Sequence, residues 1–181
     1  MSRCKVCRSE FQKRSMTHKC CSPECAQEFA RREREKKDRK ETRTKLAALK
    51  TRSQWLKEAQ IEFNRYIRER DRDLPCISCG RFHGGSYDAG HYRSVGAAPH
   101  LRFNEDNCWR QCVPCNQHKS GNVVEYRIRL VQKIGAAMVD WLEGPHEPVK
   151  YTIEQAKDIK AQYKAKLKIL LATRSAKTLP A

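Results

Sequence analysis

Residues 76–121 read CISCGRFHGGSYDAGHYRSVGAAPHLRFNEDNCWRQCVPCNQHKSG. The stretch opens on one C-x2-C pair, Cys76 and Cys79, and ends around another, Cys112 and Cys115. Four thiolates grouped in this way suit tetrahedral Zn²⁺, whose binding free energy folds a segment too small to bury a core. Residues 80–106, between the pairs, are rich in Gly, aromatic and polar residues, which predicts a short hairpin rather than a helix. A short helix is expected after the second pair, within residues 107–121. Zinc accounts for the cysteines. It does not account for Asp88, for His91 in G-H-Y-R, or for Asn107 and Asn116 in N-x4-C-x2-C-N-x2-K.

The N-terminus repeats the cysteine arithmetic. Cys4 and Cys7 form C-x2-C, and Cys21 and Cys25 form C-x3-C. Residues 1–30 hold little that could make a core, so metal has to hold them. Ser22 before Pro23 and Glu24 is a helix start, with Ser as cap and Pro in the first turn. Cys21 is chosen over Cys20 because C-S-P-E-C sets both thiolates around that start; His18 is the alternative to a thiolate here. Cys20 and Cys108 are left as free thiols. The ten cysteines therefore make two zinc sites rather than a disulfide framework, and no signal-peptide core follows Met1. Substituting Cys76 or Cys112 is expected to unfold the unit around residues 76–121.

Residues 31–52 carry eleven basic and four acidic side chains with almost no apolar stripe before Leu46. They read as a solvated helix or a disordered linker, a plain spacer or an arm that tracks phosphates. From Ser53 an amphipathic helix carries Leu56, Ala59, Phe63, Tyr66 and Ile67, and Pro75 ends it. A longer helix is expected from Val123 to about Leu142, with Val124, Ile128, Val131, Met138, Trp141 and Leu142 on one face, stopped by Gly144 and Pro145. Thr152 and Gln155 form a capping box for a last helix that buries Ala156, Ile159, Tyr163, Leu167 and Leu170. The tail from Ser175 is expected to be loose. The predicted fold class is α+β: a small zinc-stabilised ββα-type unit with flanking helices at 53–145, an N-terminal zinc knuckle at 1–30, a linker at 31–52, and a C-terminal helix and tail at 146–181.

The 181 residues are 39% hydrophobic and 33% charged, with a net charge of +17. A surplus of that size implies a polyanionic partner. No apolar run approaches the ~20 residues a spanning helix needs. A protein of the bacterial host cytoplasm acting on nucleic acid, not on a membrane, is the expectation.

The order C-x2-C, a His on a strand, then N-x4-C-x2-C followed by Asn and Lys resembles the HNH nuclease motif. More closely, C-I-S-C-G, D-A-G-H-Y-R, L-R-F-N-E-D-N, Q-C-V-P-C-N-Q-H-K-S-G-N and R-E-R-D-R-D-L-P, with the N-terminal C-S-P-E-C, resemble the NinG (Rap) family of lambdoid phages. The likeness runs along essentially the whole chain. It implies a structure-specific endonuclease of phage recombination that cuts branched DNA, Holliday junctions and D-loops, with Mg²⁺ or Mn²⁺. It also implies catalytic roles for His91 as general base, Asn107 as the residue orienting the loop or the His, and Asn116 as ligand of the catalytic cation. The motif usually carries Asp or His just before the base, and here that position is Gly90. Asp88 can replace it only if the hairpin bulges, because residues three apart on a regular strand face opposite sides. His118 is a further candidate ligand. Arg93, Arg110 and Lys119 are candidate phosphate contacts. A second function class, a non-catalytic double-zinc DNA-binding or architectural protein, shares the charge and the knuckles but has no need of His91, Asn107 and Asn116. Two nicks resolve a junction, so a homodimer is the attractive assembly.

Overall fold

The computed structural model of the chain describes residues 1–177. The chain divides into two compact units, Met1–Lys50 and Thr51–Ala181.

In the first unit, strands β1 (Ser2–Arg3) and β2 (Glu10–Phe11) pair antiparallel. Between them the chain turns tightly: Cys4 N donates to Ser9 O at 2.9 Å, and Arg8 sits at φ 65°. Helix α1 (Pro23–Ala48) then begins as expected, with the Ser22 side chain accepting from Cys25 N. Of the two readings of residues 31–52, the helix is the one found through Ala48, and no residue of α1 is buried. Local ion pairs line it instead, Arg31 with Glu28 and Glu35 at 2.8 and 2.7 Å and Lys36 with Glu33 at 2.7 Å. Pairs at this spacing support a helix weakly, because solvent screens them.

The second unit opens with helix α2 (Arg52–Arg70), whose start carries a capping box: Gln54 N donates to Thr51 Oγ1, and Thr51 N to Gln54 Oε1. Ala59, Phe63 and Ile67, four apart, form its buried stripe. Helix α5 (Ile153–Lys177), started by the Thr152–Gln155 box, covers that stripe. Tyr163 meets Phe63 edge-on at 4.8 Å, and Lys160 pairs with Glu58 at 2.7 Å. The segment 146–181, set apart from 53–145 on pattern alone, thus belongs to the same unit. The tail expected to be loose from Ser175 is helical through Lys177; the remainder lies outside the described residues.

Strands β3 (Tyr87–His91) and β4 (Cys108–Cys112) pair antiparallel without a bulge, Tyr87 facing Cys112 and His91 facing Cys108. The expected short helix after the second cysteine pair is a single π-helical turn, Pro114–His118. The architecture is mixed α+β, built on two two-stranded sheets.

The single helix expected over 123–142 is two, α3 (Val123–Ile134) and α4 (Ala136–Glu143), divided at Gly135 with φ +84°. Of the expected apolar face Leu142 is buried and Val131 packs against the core, while the inward positions of α3 differ ahead of the break. Tyr126, Leu130, Val139 and Leu142 go inward with Ile77, Tyr92 and Leu101, while Val124, Ile128 and Trp141 stay exposed. The segment around the second knuckle therefore has an apolar core of its own, and zinc is not its sole support. Among the described residues no helix is long and apolar enough to cross a membrane.

Candidate metal centres and candidate active site

Two four-cysteine groups form, Cys4, Cys7, Cys21 and Cys25 in one unit and Cys76, Cys79, Cys112 and Cys115 in the other, each with its sulfurs within 4.8 Å of one another. A tetrahedral zinc with Zn–S bonds of ~2.3 Å places its sulfurs about 3.8 Å apart, and the donor set fits that span. At Cys4 and Cys76 the thiol is held down with the help of backbone amides, whereas the neighbouring thiols push Cys21 up and burial pushes Cys112 and Cys115 up. Val6 N donates to Cys4 Sγ at 3.5 Å, and this bond is the main reason the Cys4 thiol is held down to about 5. Cys112 N donates to Cys76 Sγ at 3.4 Å. Cys21, not Cys20, joins the first group. Cys20 and Cys108 are buried outside the groups. His18 is not in the first group either; its Nδ1 accepts from Arg14 N at 3.2 Å. A histidine that the sequence reading passed over, His83, lies with Nε2 3.2 Å from Cys79 Sγ.

The second cysteine group joins the 76–79 knuckle to β4 and the π-helical turn, and β3, paired to β4, carries Asp88 to Asn116. Asn116 Nδ2 and Gln117 Nε2 both donate to Asp88 Oδ2 at 2.8 Å. Their amide nitrogens face the carboxylate, so Asn116 Oδ1 is turned from it. His118 is exposed at the end of the same turn.

Because the ladder is regular, the bulge that would set Asp88 beside His91 is absent, and the two face opposite sides of β3. Gly90 shares the Asp88 side. A Cβ there would lie 2.0 Å from Gln111 Oε1, so the missing acidic residue has a steric cause: the Gln111 side chain already fills its space. Gln111 is fully buried and donates to Ser78 Oγ and Gly121 O at 2.6 and 2.5 Å.

His91 closes β3 with its ring 5.9 Å from that of Phe63. Nε2 bonds to the Arg102 carbonyl at 3.0 Å, which makes Nε2 the protonated nitrogen and leaves Nδ1, 3.7 Å from Cys108 Sγ, as the acceptor. Burial pushes the imidazole below its ordinary value of 6.5, opposed by the Arg102 carbonyl. Asn107, with no exposed surface, holds the loop that follows: Oδ1 accepts from Arg93 N at 2.8 Å, while Nδ2 donates to Arg93 O at 3.0 Å and Leu101 O at 3.3 Å.

The candidate phosphate contacts divide. Lys119 is exposed. Arg93 is partly exposed. Arg110 is occupied: its guanidinium lies over the Tyr87 ring at 3.5 Å and donates to the carbonyls of Asp71, Arg72 and Leu74. Asp71, buried at the end of α2, accepts from Arg70 at 2.7 Å and from Arg110 N at 3.0 Å, tying α2 to β4. This hub has no periodic signal in the sequence; R-D-R-D was read only as part of the family likeness.

The family model described as Bacteriophage Lambda NinG protein matches residues 1–172. The chain belongs to the NinG family. Protein ninG of Escherichia phage lambda is 47% identical over 193 residues, an alignment covering 96% of this chain and 95% of that protein. Protein ninG of Salmonella phage P22 is 46% identical and that of Escherichia phage 933W 44%, each with the same coverage. No solved structure matches the chain. NinG membership extends over both cysteine groups and the whole of 76–121, so the likeness read from the motifs holds at the level of the family.

Proposed function

We propose that this NinG-family protein is a DNA endonuclease with an HNH-like unit, which hydrolyses phosphodiester bonds in branched recombination intermediates with Mg²⁺ or Mn²⁺. The observation that carries this reading is the meeting of Asp88 and Asn116 at 2.8 Å, on a hairpin and turn braced by four cysteines. Asp88 and, with its amide rotated to present Oδ1, Asn116 would be oxygen donors of the kind a hard divalent cation takes, and His118 ends the same turn. A bound cation would polarise the scissile phosphate and stabilise the leaving oxygen. Arg93 and Lys119 would offer cationic groups to neighbouring phosphates. His91, held neutral and fixed as the Nε2–H tautomer by Arg102, lies on the other side of β3 from Asp88 with Nδ1 against Cys108, so it would take a proton from water only after turning from that thiol. His118, exposed on the turn that carries Asn116, is the other imidazole for the role. Asn107 acts through the loop it holds and is a positioning residue in this scheme.

A second reading, a double-zinc DNA-binding protein without catalysis, is favoured by one observation: both nitrogens of His91 face protein atoms, and Asp88 is already met by two amides. Labelled four-way junctions, D-loops, forks and duplexes incubated with pure protein separate the two. Mg²⁺-dependent nicking of the branched substrates, stopped by EDTA and lost in Asp88→Asn, is expected. Binding without nicking under any divalent cation would leave the second reading. His118→Ala alongside His91→Ala identifies which imidazole the reaction needs.

A further inference from the structure

A pocket of about 270 Å³ opens between the second knuckle and α3. Its apolar lining comes from Leu74, Pro75, Ile77 and Trp109, and its rim carries Arg110, Arg129 and Lys133. Arg129 is prepared for an anion. Its Nε donates to Ser78 O at 3.0 Å, and the guanidinium lies so close to Gly80 that a Cβ there would stand 2.5 Å from its Cζ. Gly80 is also at φ +67°, so the close approach is built on a residue that no side chain replaces without strain. The fork is thereby anchored by one nitrogen, and its two terminal nitrogens have no carboxylate partner among the described residues. Lys133 Nζ sits 4.5 Å from the Trp109 ring centre. The one acidic residue in the lining, Asp71, is already engaged by Arg70 and Arg110 N. What enters must therefore be anionic at the rim and flat or apolar at the floor.

We propose that this pocket takes one unpaired nucleotide of a nucleic-acid strand, its phosphate on Arg129 and Lys133 and its base on the floor of Leu74, Pro75 and Ile77. The volume admits a single nucleotide. A base in a duplex is stacked and paired and cannot enter; a base at a branch point or in a single strand can. The inference rests on the reading of the protein as one that binds DNA and gives it a means of preferring branched over continuous duplex.

Full-length, zinc-loaded protein is titrated into a short fluorescein-labelled oligodeoxythymidylate and, separately, a blunt duplex, both read by anisotropy in Ca²⁺. Removing two phosphate contacts from a single strand flattens the log affinity against log salt slope by about 1.4 and weakens binding about tenfold at moderate salt. That result is expected for Arg129→Gln/Lys133→Gln, with duplex affinity changed less than about twofold. Gln132→Glu places a negative charge at the rim from an exposed position and is expected to weaken single-strand binding in the same sense. The charge-matched control Lys164→Gln/Lys168→Gln, on exposed positions of α5, is expected to behave as the parent. Equal loss on single strand and duplex, equal loss in the control, or no loss in either pocket variant overturns the proposal. If the double variant loses zinc, Gln132→Glu decides alone. A parent that never nicks branched DNA but shows the selective loss sinks the nuclease reading and keeps the pocket; nicking without selective loss does the reverse.

Discussion

His91 is half-buried against Phe63, with one ring nitrogen committed to a carbonyl and the other facing a buried thiol. If Nδ1 is the base, His91→Ala should lower the cleavage rate by about 10² to 10⁴, with zinc content and junction binding in Ca²⁺ unchanged. Loss of zinc, or a rate near that of the parent, would remove His91 from the chemistry. The pH dependence has a definite sign. Burial lowers the folded-state pKa below 6.5, so the neutral base prevails at and above that pH. The rate profile should be level there and fall as pH drops through the depressed value. The stability His91 contributes follows the same window, full above about 6.5 and lost as pH falls below it. Asn107 shows a different signature. Asn107→Ala would leave the Arg93 N–H and O and the Leu101 O without their partner in a fully buried site, costing about 3 kcal/mol. A lowered urea midpoint at constant m value is the expected reading.

At the scale of elements, Gly135 decides how the chain after the second knuckle packs. Its φ of +84° and ψ of 155° are essentially confined to glycine, and an added Cβ meets nothing within 4 Å. Gly135→Ala is therefore a test of backbone strain alone, expected to cost about 1–3 kcal/mol in denaturant unfolding. Gly135 divides the expected helix, but the face of α3 differs ahead of it: Tyr126 and Leu130 go inward where Val124 and Ile128 are expected. Elements whose cause is local were plain in the sequence, namely the cysteine pairs, the Ser22 cap, the Thr152–Gln155 box and the Phe63–Ile67 stripe. Thr51–Gln54 has the same S/T-x-x-E/Q form and is readable, and it starts the helix at Arg52, one residue ahead of the expected Ser53. The polar hubs at Asp71 and Gln111 were not readable, because their partners lie 39 and 33 residues away and leave no spacing to count. That is also why Gly90 looked like a defect in the motif. Its reason sits across the ladder, on Gln111.

At the scale of the whole molecule, the two cysteine groups brace units of very different self-sufficiency. In Met1–Lys50 only Cys4 and Cys20 are buried, whereas the second unit has an apolar cluster under α3 and α4 and another between α2 and α5. Metal analysis should give two Zn²⁺ per chain. Chelation should abolish the fold of residues 1–30 while the second unit keeps a cooperative urea transition at a lower midpoint. Complete unfolding on chelation would show that the apolar clusters are insufficient. The cluster between α2 and α5 has a further effect, on the order of events during synthesis. Glu58 meets Lys160 across 102 residues, and Glu69 O accepts from Arg174 across 105. At roughly 5–20 residues per second, α2 leaves the ribosome about 5 to 20 seconds before the helix that covers Phe63 and Ile67. Throughout that interval its apolar stripe is open to chaperones or to other nascent chains. A chain ended after residue 150 should collect in the insoluble fraction, and co-expression of residues 151–181 as a separate peptide should return it to solution.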